Sequence, residues 1–366
     1  SIHMNANEVI AGRACEILGV ARDRTDRIHP NDHVNLGQST NDVVPTAIRL
    51  GGSVLGARLA AETETLAASF AERARAFDRV VKSGRTHLQD AVPIRLGQEL
   101  GGYSLCLERR AERIGRAVIE VRELGIGGSA AGTGLNTHPD YAKTVVAELS
   151  TLYGITLRPA EDRFEAMQSH APIVDLIGAA RALAIELIRI TNDLRLLASG
   201  PRTGLAEIRL PAVQPGSSIM PGKVNPVIAE STAMACYQVI GCEATVAAAA
   251  QAGQLELNVM MPVIADNLLS GLDLLANAVA NLRDRCVAGI EVDEERCRAY
   301  AESSVAIATI LNPVVGYETG AEVVNTALAE GKSIRRVLEE KRILPPERIE
   351  EIFDLRRWTE PGLLGE

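Results

Sequence analysis

Residues 41–77 read NDVVPTAIRLGGSVLGARLAAETETLAASFAERARAF, and within them Ile48, Leu55, Leu59, Leu66, Phe70 and Phe77 recur with steps of 7, 4, 7, 4 and 7. An eleven-residue repeat corresponds to about 3.67 residues per turn, so a nearly straight α-helix keeps one apolar face along the whole stretch. At about 1.5 Å per residue, roughly 35 helical residues span on the order of 50 Å. Working outward, Ala- and Leu-rich helical patterns recur at about 94–123, 172–199, 226–251 and 262–290. The segment from Ile173 to Ile190 is apolar on nearly all sides, which places it inside a bundle rather than on a surface. No segment shows strand alternation bounded by hairpin turns, so the predicted fold class is all-α, a bundle of long helices. Residues 1–38 read as the remnant of an N-terminal domain and 39–292 as the central bundle. Residues 293–366, with short charged amphipathic pieces and a break at Pro345-Pro346, read as a small C-terminal helical domain.

A chain of 366 residues can bury a sizeable core without disulfides or a structural metal. Hydrophobic residues make up 46% but aromatics only 3%, so that core must be built from Ala, Leu, Ile and Val, which suit closely approaching helices. A net charge of -9 argues against a nucleic-acid partner, which needs a basic face. The six cysteines, Cys15, Cys106, Cys236, Cys242, Cys286 and Cys297, show no C-x-x-C spacing and are expected to be buried, reduced thiols of a cytoplasmic protein. The longest apolar runs are interrupted by charged residues, so no membrane span is expected. The chain opens with Ser1-Ile-His-Met-Asn-Ala-Asn-Glu8 as though in the middle of an element, which suggests a preceding segment.

Three polar clusters stand ahead of predicted helices. Gln38-Ser39-Thr40-Asn41-Asp42 precedes the long helix, Gly84-Arg85-Thr86-His87-Leu88-Gln89-Asp90 the second, and Pro215-Gly216-Ser217-Ser218 through Lys223-Val224-Asn225 the fourth. Each can be read as simple helix capping. The third lies in an irregular connection from Gly200 to Asn225, and compact domains rarely carry so long a loop without a function. Three helix N-termini brought together, with the charge of Lys223, would receive a dianion. Hydroxyls and amides of Ser39, Thr40, Asn41, Thr86, Ser217, Ser218 and Asn225 could orient its carboxylates. If the long helix is straight, Ser39 at its start and His87 beyond its end cannot meet within one chain, so a combined site requires an oligomer.

Other motifs fail. Between Gly216 and Gly222 five residues intervene rather than four, and Val224 stands where a P-loop needs Ser or Thr. There is no nucleophile elbow or metalloprotease pattern, and His29 and His33 lack a third ligand. No metal and no cofactor are expected.

The run from Gly216 to Pro226, GSSIMPGKVNP, resembles the signature loop of the fumarase/aspartase superfamily, here residues 214–226. His29-Pro-Asn-Asp-His-Val-Asn35, Gln38 to Asp42, Gly84 to Asp90 and Gly132-Thr-Gly-Leu-Asn136 support it in the expected order. The resemblance implies a homotetramer around twenty long helices, with each active site shared by three subunits and a small dicarboxylate as substrate. It implies Ser217 as the base that takes the Cβ proton, through an aci-carboxylate intermediate. It implies further that Ser39, Thr40 and Ser218 grip the β-carboxylate, that Asn41, Thr86 and His87 hold the amino group, and that Lys223 and Asn225 hold the α-carboxylate. Glu230 matches the carboxylate that orients the histidine. His29-Asn31-Asp32 resembles a secondary anion site, with a structural turn as the other reading.

Within the superfamily, Gln38-Ser39-Thr40-Asn41, Ala91-Val-Pro93, Leu210 to Pro215 and Ala252 to Val259 resemble aspartate ammonia-lyases, which release fumarate and ammonia. Met261 departs from that pattern, standing where many aspartases have glutamate. The alternatives are a class II fumarate hydratase acting on L-malate and an inactive helical scaffold.

Overall fold

A computed structural model describes residues 2–362; Ser1 and the reading placed on it lie outside the described residues. The helices are α1 (Ile2–Ile17), α2 (Thr40–Ala76), α3 (Leu96–Glu120), α4 (Tyr141–Tyr153), α5 (Arg163–Gln168), α6 (Ala171–Leu197), α7 (Val227–Ala250) and α8 (Met261–Arg285). Five more follow: α9 (Glu294–Ser303), α10 (Ala308–Val315), α11 (Tyr317–Glu330), α12 (Ile334–Glu340) and α13 (Pro346–Ile352). The structure is thus mainly α, as the periodicity predicts. Helix α2 runs unbroken for 37 residues, about 55 Å at 1.5 Å per residue. Of the six repeat positions, Ile48, Leu59, Leu66 and Phe70 are buried, while Leu55 and Phe77 are half-buried.

The sustained exception to helix among the described residues is a hairpin of β1 (Val81–Thr86) and β2 (Gln89–Arg95). It stands where the sequence was expected to hold only a loop and a helix cap. Two-residue strands add little: Glu123–Leu124 pairs in parallel with Arg158–Pro159, and Ile208–Arg209 pairs antiparallel with Glu291–Val292.

The described chain divides into two compact units. One comprises residues up to Glu64, with Arg109–Ile188 and Ala233–Val279; the other comprises Thr65–Glu108, Arg189–Thr232 and the chain from Ala280 onward. In the first, α2, α3 and α6 approach so closely that a Cβ on Gly56 would lie 2.7 Å from Val118 Cγ2 and 3.1 Å from Leu176 Cδ1. A smaller cluster of Leu50, Leu124, Ile126, Val146 and Leu157 packs beside them. In the second unit Phe70 and Tyr103 meet edge to face at 5.8 Å, and Tyr103 Oη donates to Asp193 Oδ2 at 2.9 Å. The helices after Ala308 close over Ile307, Leu311, Val323, Val337, Leu338 and Ile349.

By length and apolarity alone, α7 and the stretch Met261–Gly289 would suffice to cross a membrane. Their carboxylates instead pair with arginines of neighbouring helices, Glu243 with Arg181 at 3.8 Å and Asp273 with Arg58 at 2.7 Å, an arrangement suited to a helical bundle. Met261, the first residue of α8, is buried. Cys15, Cys236, Cys242, Cys286 and Cys297 are buried free thiols and Cys106 is half-buried. Burial pushes Cys236, Cys286 and Cys297 up to about 12, so they stay protonated and unreactive.

Candidate active site

In the first unit, Ser39, Thr40 and Asn41 stand at the start of α2, half-buried. Ser39 and Asp42 form a reciprocal cap: Ser39 Oγ accepts from the Asn41 N–H at 3.2 Å, and Asp42 Oδ1 accepts from the Ser39 N–H at 3.0 Å. Asp42 does more than cap. It is buried, and its Oδ2 accepts from the N–H groups of Gly127 and Ser129 at 3.0 and 2.9 Å. Asn41 Nδ2 donates to the Ala130 carbonyl at 2.8 Å. The helix start is therefore stitched to the loop 127–130, where Gly127 and Ser129 adopt φ of 91° and 55°. Burial pushes the Asp42 carboxyl up, while the three N–H donors pull it back. On its other side, Thr40 Oγ1 lies 3.1 Å from His3 Nδ1, and His3 Nε2 lies 3.3 Å from Gln38 Oε1.

Thr86 and His87 belong to the second unit and are exposed. Thr86 pairs with Gln89, which leaves His87 and Leu88 as a two-residue turn with φ of 55° and 60°. Positive φ at both central residues is the mirror-image turn that suits hairpin twist and ordinarily takes Asn-Gly or Gly-Gly. Histidine and leucine there store backbone strain, which folds tolerate mainly where the displayed side chain has a use.

The loop from Gly216 to Asn225 is also in the second unit. Ser217 is half-buried, while Ser218, Lys223 and Asn225 are exposed. The Ser217 N–H donates to the Lys223 carbonyl at 3.0 Å, and the Lys223 N–H to the Met220 carbonyl at 3.1 Å. Gly216 is needed for this closure, since a Cβ there would lie 2.7 Å from the Lys223 carbonyl oxygen. Ser217 Oγ accepts from the N–H groups of Ile219 and Met220, at 3.3 and 3.2 Å. Two N–H donors on one hydroxyl oxygen would stabilise its alkoxide, which an ordinary serine lacks the means to form near neutral pH.

Glu230, in the first turn of α7, lies 3.8 Å from Arg195; among the described residues no contact joins it to His87. At the predicted secondary anion site, His29 Nδ1 accepts from the N–H groups of Asn31 and Asp32 at 3.2 and 3.1 Å, and His33 Nδ1 accepts from the His29 N–H at 2.7 Å. Those N–H groups are already engaged, which favours the structural turn. The side-chain role of Asp42 is visible only in three dimensions, although the residue lies inside a quoted motif. His3 carried no sequence signal.

The geometry can be set beside known proteins. The lyase family matches residues 1–241, and the fumarase C C-terminal family matches residues 307–360. The aspartate ammonia-lyase of Bacillus subtilis is 45% identical over 365 residues, covering 100% of this chain and 77% of that protein. The class II fumarate hydratase of Halobacterium salinarum is 49% identical over 367 residues, covering 100% and 78%. Among solved structures, a fumarate lyase:delta crystallin from Brucella melitensis bound to cobalt superposes with a TM-score of 0.94 at 48% identity, covering 98% of this chain and 78% of that one.

Proposed function

This chain belongs to the fumarase/aspartase superfamily of lyases, and on that premise we propose that it is an aspartate ammonia-lyase. Ser217 Oγ takes the Cβ proton of L-aspartate. The electron pair of that C–H bond moves onto the β-carboxylate, giving an aci-carboxylate dianion. As the pair returns to form the C=C bond, the Cα–N bond breaks, and ammonia leaves with its electron pair beside fumarate. Ser39, Thr40 and Ser218 receive the charge building on the β-carboxylate. Asn41, Thr86 and His87 hold the amino group, Lys223 and Asn225 the α-carboxylate, and Glu230 orients the histidine.

The observation that carries the serine-base chemistry is the pair of N–H donors on Ser217 Oγ, because a serine base needs its alkoxide stabilised; the run Gln38-Ser39-Thr40-Asn41, which resembles aspartases, favours ammonia as the leaving group. A homotetramer with shared sites is part of the proposal. The unbroken length of α2 supports it. So do apolar side chains left exposed on long helices, including Ile185 on α6 and Met234 and Tyr237 on α7, since patches of this kind mark interaction surfaces. Buried free thiols support a cytoplasmic setting.

A second reading, a class II fumarate hydratase, is favoured by the 49% identity of the Halobacterium relative. Fumarate absorbance followed in parallel with L-aspartate and L-malate separates the two. Turnover of aspartate alone supports the ammonia-lyase, turnover of malate alone the hydratase, and turnover of neither overturns both.

A further inference from the structure

Four ionisable side chains cluster along the hairpin that displays His87. Glu207 is completely buried, with Oε2 2.9 Å from Lys82 Nζ and Oε1 2.8 Å from Arg85 Nη2. Lys82, itself buried, donates to Glu99 Oε2 at 2.8 Å. The Arg85 guanidinium lies 5.7 Å from the centre of the Tyr300 ring, and Tyr300 Oη reaches the Gly204 carbonyl at 3.4 Å.

Lys82 and Arg85 are three residues apart, so a regular strand would point them to opposite faces. They reach one carboxylate because the register shifts between Ser83 and Arg85, a bulge that re-aims the second side chain. Gly84 permits it, since a Cβ there would lie 2.8 Å from the Val92 carbonyl oxygen. Arg85 directly precedes Thr86 and the strained turn. Burying such ions costs several kcal/mol each unless they are well paired, and strained turns persist only where surrounding structure over-determines them.

We propose that Glu207, acting through Lys82 and Arg85, is a positioning residue that fixes the turn presenting Thr86 and His87 to substrate. The inference rests on the reading of His87 as a substrate-binding residue. Loss of the carboxylate releases Arg85 and lets the turn relax, and a displacement of about 1 Å at a reacting group costs on the order of 100-fold in rate.

The test compares Glu207→Gln, the doubly neutralised Lys82→Met/Glu207→Gln, Glu207→Asp and His87→Gln, reading thermal midpoint and kcat/KM for fumarate formation on each purified oligomer. Glu207→Gln is expected to lower both. The double variant, which returns the cluster to zero net charge with Arg85 and Glu99 remaining, should regain most of the midpoint while kcat/KM stays about 100-fold down, and Glu207→Asp should recover at least about tenfold. Recovery of kcat/KM together with the midpoint in the double variant would reduce the cluster to a stability device and overturn the proposal while leaving His87 in place. Unchanged kcat/KM in His87→Gln would instead remove the reading on which the proposal stands and overturn both.

Discussion

The start of α2 and the loop 216–225 both present small polar side chains, yet they are held in opposite ways. Ser39, Thr40 and Asn41 are tied outward, through Asp42 to Gly127 and Ser129, through Asn41 to Ala130, and through Thr40 to His3. Among the described residues, every hydrogen bond of Ser217 through Lys223 stays inside the loop. Ile219 is 86% exposed. Segments with few buried contacts open at low free-energy cost, and enzyme lids are drawn from such segments. Under the proposed function this is a division of labour, with a fixed receptor for the charge that builds on the substrate and a self-contained loop that carries the base.

The sharpest way to break that contrast is Ser217→Ala. The hydroxyl belongs to an exposed loop, so the unfolding free energy should change by no more than about 0.5 kcal/mol and the thermal midpoint should barely move. Fumarate formation should fall by at least about two orders of magnitude, the cost of losing a positioned base. A midpoint that falls along with the rate would mean that the loop is part of the structural frame.

Asp42→Ala should show the reverse pattern. Three backbone N–H groups lose their acceptor, at about 1–3 kcal/mol for each buried donor left unmet, offset where water enters. A lower midpoint in urea or thermal unfolding is expected, with a raised KM because Ser39 to Asn41 are no longer held. A stable variant with unchanged KM would show that the receptor does not depend on this anchor.

Acid should weaken the same unit selectively. His170 is buried with neither ring nitrogen hydrogen-bonded, and burial, together with the nearby Arg49 guanidinium, holds its pKa down at about 4. The unfolded chain takes up this proton near the ordinary histidine value of about 6.5. Between those values the unfolded state binds more protons, so stability rises with pH across the window and is lost as pH falls through it. The full difference is on the order of 3 kcal/mol. Unfolding midpoints from about pH 7 to 4 should fall less steeply in His170→Gln; parallel slopes would show that the ring is hydrated in solution.

The sequence made the long helices legible because their apolar repeat is directly tied to the helical period. It hid the hairpin for two physical reasons. The bulge at Gly84 breaks the alternation of β1, and His87-Leu88 lacks the Gly or Asn that marks such a turn. The residue types at the candidate site stood out, since Ser39 to Asn41, Thr86-His87 and the loop around Ser217 are local runs. Their supports did not, because each arrives from a distant part of the chain: His3 meets Thr40 37 residues away, and Gly127 meets Asp42 85 residues away. Glu207 lies similarly far from Arg85. Periodicity reports which face is buried, but not which buried charge meets which.

The smallest expected effect tests whether loop sequence matters beyond Ser217. Ile219 follows Ser218 directly and its N–H is one of the two donors to Ser217 Oγ, so its backbone serves the proposed base while its side chain projects into solvent. Ile219→Ala leaves that N–H in place and should change stability by less than about 0.5 kcal/mol. If the loop closes over substrate, the exposed isoleucine becomes covered in the closed state. Truncation then forfeits part of the roughly 1.5–3 kcal/mol that burying such a side chain provides, which appears as a several-fold loss of kcat/KM. Closure thereby links an effect on rate to a residue that contributes almost nothing to the unliganded fold. Equal kcat/KM for Ile219→Ala and the parent would mean that the side chain stays in water throughout turnover, leaving the base to be delivered without the apolar cover that excludes solvent from it.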